Sequence, residues 1–308
     1  MNRPQAMHDI SQYQRSVTMM GKNNLASVEI SHMNQETVDL NELEEKFIQA
    51  RSAILALQQE DGHWCFPLEA DCTIPAEYIL MMHFMDEVDV ALENKIARFI
   101  RDKQDMNHGG WPLYYGGAFD ISCTIKSYYA LKLVGDSPED AHMKCAREAI
   151  LQRGGAAKAN VFTRLLLAMY QQIPWRAVPV VPAELIFLPK WAPFHLSKVS
   201  YWSRTVMVPL SILCTLKAKA INPRKVDIRE LFITPPEEEQ NYFPKPDTLL
   251  KRVFMTVERL LTRFEPKLPQ SLRQEAISSA EHWILERLNG ECGIGAIFPA
   301  IVNAHEAL

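Results

Sequence analysis

The sequence lacks the marks of several protein classes. Its 308 residues include six cysteines, at positions 65, 72, 123, 145, 214 and 292, with no Cys-x-x-Cys pair. That spacing argues against a zinc cluster or a disulfide scaffold and for reduced thiols in a cytoplasmic compartment. No stretch reaches the ~18 uninterrupted apolar residues of a spanning helix. The nearest, 206–216, is too short, although a helix lying on one leaflet stays open. The formal net charge is −4 with the signs mixed, so there is no polybasic footprint and nucleic acid is not an expected partner. Residues 1–38 are polar, without the apolar core of a secretory signal, and read as a mobile tail. The nine histidines show no ligand spacing, so no metal and no cofactor is expected.

What remains is helical pattern. Asp39-Leu-Asn-Glu42 has the form of a capping box, and Leu43, Phe47, Ile54 and Leu57 follow at helical spacing. Pro75 opens an apolar segment over 76–85, which should be buried on most sides. An amphipathic helix over 92–104 sets Ile96, Phe99 and Ile100 against Lys95, Arg98 and Arg101. After a Gly-rich turn, 121–134 is apolar again. A charged helix follows Ser137-Pro-Glu-Asp140 and stops at Gly154-Gly155, and Asn160 leads into an apolar helix over 161–169.

Polar-faced and apolar helices therefore alternate at intervals of about 40 residues, the signature of a helical repeat. The fold class is all-α. If the apolar helices form an inner ring and the amphipathic ones an outer ring, the product is an α/α barrel, or toroid. Periodicity alone leaves that level with an ordinary bundle. Five prolines over 174–193 forbid a long helix there, yet Trp175, Ile186, Phe187 and Trp191 make it an ordered loop. Residues 222–246 are irregular, and 249–264 and 272–288 return to amphipathic helix.

One feature repeats in detail. An apolar pair is followed by Gln and then by Gly-x-Trp: Ile54-Leu55, Gln59, Gly62 and Trp64, then Phe99-Ile100, Gln104, Gly109 and Trp111. Both copies lie where an amphipathic helix ends. A Gln amide there can satisfy free backbone groups, and an indole can cover it and tie one hairpin to the next. A third copy is degenerate, with Trp283-Ile284, Leu288 in the Gln place and Ile294 in the Trp place. These are QW-type segments, and with them the chain resembles the triterpene cyclases. Pro75-Ala-Glu-Tyr78, Tyr114-Tyr-Gly-Gly-Ala-Phe-Asp120, Val161-Phe-Thr-Arg164, Ile173-Pro-Trp-Arg176, Tyr201-Trp-Ser-Arg-Thr205 and Gly293-Ile-Gly-Ala-Ile-Phe-Pro299 narrow the likeness to bacterial squalene–hopene cyclases. It is collinear over about 40–308.

The resemblance implies a cation-driven polycyclisation of squalene to hopene or hopanol, an isomerase activity of hopanoid biosynthesis. It also implies two helical barrels in a longer chain. Residues 39–308 would be the N-terminal α/α barrel domain, with the C-terminal catalytic barrel absent. The family starts the reaction with the central acid of an Asp-x-Asp-Asp motif. None occurs here; Asp86-Glu-Val-Asp89 and Asp136-Ser-Pro-Glu-Asp140 do not fit. No catalytic residue is therefore assigned, and the chain is expected to be inactive alone.

The same resemblance supplies candidate substrate contacts. Trp202 matches a tryptophan that lines the pocket, against the plainer reading of a packing indole. Glu77, on an apolar helix, matches a glutamate that borders the cavity; the alternative is an ion pair with an arginine. Phe162 matches an aromatic position, with Leu166 one turn on read as core. Ile297, Phe298 and Pro299 match a loop that shapes the region where cyclisation ends, and Phe298 cannot order a water there. Val199 and Met207 match positions near the substrate channel, or are core. The implied partners are squalene or a similar polyprenyl hydrocarbon and a membrane surface, met through an amphipathic helix within 242–264, with Leu249, Leu250, Val253, Phe254 and Val257, or the apolar run near Val206. The expected location is the cytoplasmic side of the membrane, peripheral or monotopic, and the family's habit of pairing leaves a homodimer open. The competing reading is a non-catalytic toroid that binds an isoprenoid or a membrane. A prenyltransferase β-subunit is disfavoured, because its zinc ligands are missing.

Overall fold

The computed structural model describes residues 39–64, 71–192, 195–243, 247–290 and 293–308. The tail expected over residues 1–38 lies outside them, as do the side chains of Leu250 and Phe254. The chain divides into two compact units, Met1–Pro67 and Leu68–Leu308.

The first unit contributes α1, Leu40–Ala56. Asp39 caps it, accepting from the backbone N–H of Asn41 at 2.9 Å. The helix buries none of its residues.

In the second unit the expected alternation is present. The apolar helices are α2 (Thr73–Met85), α4 (Ile121–Val134) and α6 (Val161–Met169), and the amphipathic ones between them are α3 (Val90–Asp102) and α5 (Ala141–Gln152). Helix α4 is buried nearly all round. By contrast α3 buries only Glu93, Ala97 and Ile100, one stripe at helical spacing. Asp89, Asp120 and Asn160 cap α3, α4 and α6 by accepting backbone N–H bonds, which fixes where those helices start. Helix α2 starts at Thr73, two residues before Pro75, which therefore stands in the first turn, where its missing N–H still costs nothing.

The prolines of 174–193 hold the chain to short 3₁₀ turns, Trp175–Ala177 and Ala183–Phe187. Beyond them come α7 (Tyr201–Leu216), α8 (Leu249–Phe264), α9 (Gln270–Leu285) and α10 (Phe298–Ala307). The run near Val206 does not face outward: Val208 to Leu213 are buried inside α7. Nor is Phe298-Pro299 loop. The two residues open α10, with proline in the first turn.

The core has two parts. The larger is built on α2, α4 and α6, with Tyr128, Tyr129 and Trp111 wholly enclosed. The smaller joins α7, α9 and α10 through Ile212, Ile277, Ile284, Ile294 and Ala300. Val206 and Ala307 pack against both. The buried phenols stay satisfied, Tyr129 on the carbonyl of Val226 at 3.0 Å and Tyr170 on that of Leu80. A buried charge cluster also lies in the larger part. Glu93 accepts from Arg224 twice, at 3.1 Å, and pairs with His83 at 2.6 Å. No strand occurs among the described residues; Pro112 and Phe119 form one isolated bridge.

Candidate functional site

The two QW segments can be compared bond by bond. In the second, Trp111 returns fully buried and donates its indole N–H to the carbonyl of Ile100 at 2.7 Å. Gln104 donates to Gly109 O at 2.7 Å and to His142 O on α5 at 2.9 Å, so this segment does tie one hairpin to the next. Gly109 has φ 74°, and a Cβ there would come within 3.0 Å of the Cys145 carbonyl, so both the turn and the close approach require glycine.

In the first segment Trp64 donates to Ile54 O at 2.7 Å, the same kind of bond. The amide brace, however, is Gln58, which donates to Gly62 O at 2.6 Å. Gln59, expected in that role, engages only through its backbone N–H, on His63 O at 2.9 Å. The reason is turn length. Two residues separate Gln59 from Gly62, against four between Gln104 and Gly109, and the tighter turn brings the glycine carbonyl under the preceding residue. The third segment keeps the turn without the brace. Asn289 N–H bonds to Gly293 O at 2.8 Å, Ile294 fills the tryptophan place fully buried, and Arg287 stacks on Trp283 at 4.2 Å.

A chain of contacts links several candidate substrate residues. Trp202, in the first turn of α7, is 59% exposed, and its indole N–H is fixed to the carbonyl of Gly295 at 2.8 Å. Gly295 is pressed on the same turn: a Cβ there would stand 2.6 Å from Thr205 Oγ1. The chain then runs through half-buried Ile297 into Phe298 and exposed Pro299. The Phe298 ring lies 6.4 Å from that of Tyr78, next to Glu77 on α2. Glu77 is paired, at 2.7 Å, with Lys126 of α4. The partner is thus a lysine and not an arginine.

Phe162, 61% exposed at the start of α6, makes no ring contact with Trp202 among the described residues. Leu166 packs against the larger core, as expected. Val199 is half-buried just before α7. Met207 turns the other way, into a small cleft with Val181, Leu185, Ile186 and Leu196.

The sequence matches a family model for the squalene–hopene cyclase N-terminal domain over residues 48–308. The chain belongs to the squalene–hopene cyclase family. It is 49% identical over 276 residues to a probable squalene–hopene cyclase of Sinorhizobium fredii, covering 88% of this chain and 42% of the relative. It is 49% identical over 264 residues to the squalene–hopene cyclase of Bradyrhizobium diazoefficiens, covering 85% and 40%. To that of Alicyclobacillus acidocaldarius it is 32% identical over 246 residues, covering 80% and 38%. The chain thus spans about two fifths of the length of the curated relatives it matches. Membership establishes the all-α fold of terpenoid-cyclase type.

Two features of this cyclase domain were not picked out in the sequence. Glu306, on α10, is held largely out of water beside Glu77, and burial first, then the Glu77 charge, pushes its carboxyl up to about 8. The signal was available, since a carboxylate on an apolar helix marks a constrained position. The other is a cavity between the proline-rich loop and α8, which only tertiary packing reveals.

Proposed function

We propose that this chain supplies one wall of the cavity in which a squalene–hopene cyclase folds squalene for cation-driven polycyclisation to hopene or hopanol. The carrying observation is Trp202. Its N–H is bound to Gly295 O while the ring remains 59% exposed, so a π-face is held in place with its polar edge already satisfied. A carbocation offers no hydrogen-bond donors, and an aromatic face is its natural stabiliser. Glu77 and the stretch Ile297, Phe298 and Pro299 adjoin that wall, with half-buried Val199 as a further contact. A dry cavity prevents early quenching of the cation, and the apolar half of the wall serves that end.

The 308 residues contain no Asp-x-Asp-Asp motif, so this chain does not itself supply the starting proton. Incubating it with squalene is expected to yield no hopene while still binding the hydrocarbon. Robust turnover would sink the assignment, and failure to bind squalene would remove the wall.

The same reading places the protein on the cytoplasmic side of a membrane, peripheral or monotopic, through the outward side of α8, where Leu249, Val253, Leu260 and Phe264 are exposed. No helix among the described residues is long and apolar enough to cross a bilayer. Flotation with phosphatidylcholine vesicles tests it; Val253→Glu should release the protein. Analytical ultracentrifugation tests the accompanying homodimer.

A further inference from the structure

The cavity behind α8 holds about 580 Å³, inside the ~300–1,000 Å³ range of small-molecule sites. The polyene reading makes no use of it, because Trp202, Glu77 and the Ile297–Pro299 stretch do not line it. Its walls are largely apolar, with Trp175, Val178, Val180, Phe243 and Met255 among them.

Charge is distributed unevenly around that floor. Three cations line it, Arg176, Lys217 and Arg259. Arg176 is occupied by the carbonyls of Glu237 and Glu239, at 2.7 and 2.6 Å. Lys217 and Arg259 make no ion pair among the described residues. Two carboxylates also line it. Glu265 is committed to Arg273. Glu258 accepts from the Val180 N–H at 2.7 Å, and burial pushes its carboxyl toward the neutral form. The unspent charge is therefore positive, beside an apolar pocket.

We propose that this cavity binds a single-chain anionic amphiphile, with its hydrocarbon chain against Trp175, Val178, Val180 and Met255 and its carboxylate or phosphate head at Lys217 and Arg259. Helix α8 explains how such a ligand would arrive. Met255, Glu258, Arg259 and Thr262 face the cavity, whereas Leu249, Val253, Leu260 and Phe264 lie exposed on the opposite side at helical spacing. A chain leaving an apolar phase on one side needs only to pass the helix to reach the pocket. The ligand's route rests on the membrane contact proposed above, whereas the binding site itself stands on the cavity and its charges.

The test is a fluorescence titration of the full chain with cis-parinarate. Saturable binding at one site is expected, displaced by palmitate and by hexadecyl phosphate but not by inorganic phosphate. Hexadecanol, with the same chain and no charge, should compete about ten-fold more weakly or worse. The Lys217→Gln, Arg259→Gln double variant should weaken parinarate by a similar factor, and raised salt should weaken it too. Thr262→Trp, introduced from an exposed position of α8, should fill the cavity and abolish binding; Met255→Trp fills it from a second point if the first variant loses helix content by circular dichroism. Equal competition by hexadecanol, or an unchanged double variant, would overturn the anionic head. Binding that survives both filling variants would put the probe elsewhere and overturn the site.

Discussion

Lys126 reaches from α4 to the carboxylate of Glu77 on α2, 2.7 Å away, with both side chains largely withdrawn from water. The pair joins two largely buried helices of the larger core. Breaking one half of such a pair leaves the other charge buried, which typically costs about 3–5 kcal/mol, whereas removing both costs much less. Lys126→Met and Glu77→Gln should therefore each lower stability in urea unfolding, and the double variant should lose clearly less than the sum of the two. Additive losses would mean that the ion pair has no coupling of its own.

Glu306 ties stability to pH. Burial first, then the Glu77 charge, pushes its carboxyl up to about 8 in the folded chain, from 4.5 for the ordinary group. Between those values the unfolded chain has released the proton and the folded one retains it, so stability falls as pH rises. The contribution is complete below about 4.5, lost progressively up to about 8, and flat above it. Unfolding free energies measured from pH 5 to 9 should slope downward until about 8, and Glu306→Gln should remove that part of the slope. An unchanged slope in the variant would show that the titration belongs to another group.

The indole bonds of the two tryptophans differ in burial. Trp111 is enclosed, Trp64 is 40% exposed. Trp111→Phe removes the buried indole bond and leaves the Ile100 carbonyl with only the 3.2 Å bond from the Lys103 N–H, which should cost about 1–2 kcal/mol. In Trp64→Phe water can reach the Ile54 carbonyl, and the cost should stay below about 1 kcal/mol. Thermal and urea unfolding of the pair of variants decides it; equal losses would contradict the difference in burial.

The glutamine shift gives a sharper comparison. Gln104→Ala removes two amide bonds, one of them to α5, and should cost about 1–2 kcal/mol. Gln58→Ala removes one exposed bond and should speed exchange of amides in the turn that follows α1. Gln59→Ala should leave that exchange unchanged. Hydrogen exchange that accelerates only in Gln59→Ala would restore the expected register.

Much of this was legible in the chain. Helix α4 starts and stops, and α6 starts, where the sequence places them, because Asp120, Gly135 and Asn160 are local signals that need no tertiary partner. Adjacent glutamines defeat spacing alone: Gln58 and Gln59 differ only in how the following turn folds. Helix α10 was hidden because Ile297-Phe298-Pro299 matched a loop, although proline in a first turn is itself a start signal. Lys126 could have been singled out by the logic applied to Glu77, since each is a charge on an apolar helix. The unpaired Lys217 and Arg259 could not, for nothing in their neighbourhoods along the chain says that they share a cavity.

The tryptophan brace has one more consequence. In each copy the donor and its acceptor lie within a dozen residues of one another, Trp64 with Ile54 and Trp111 with Ile100. A unit closed in this way travels whole when its stretch of gene is duplicated, and it needs no matching change elsewhere to keep its shape. The reach of Gln104 to His142, the approach of Gly109 to Cys145 and the bond from Trp111 to Thr124 are what must be negotiated with neighbours. Such a cassette lets a fold lengthen by copying, and lets a worn copy, like the one ending at Ile294, persist once its surroundings hold it.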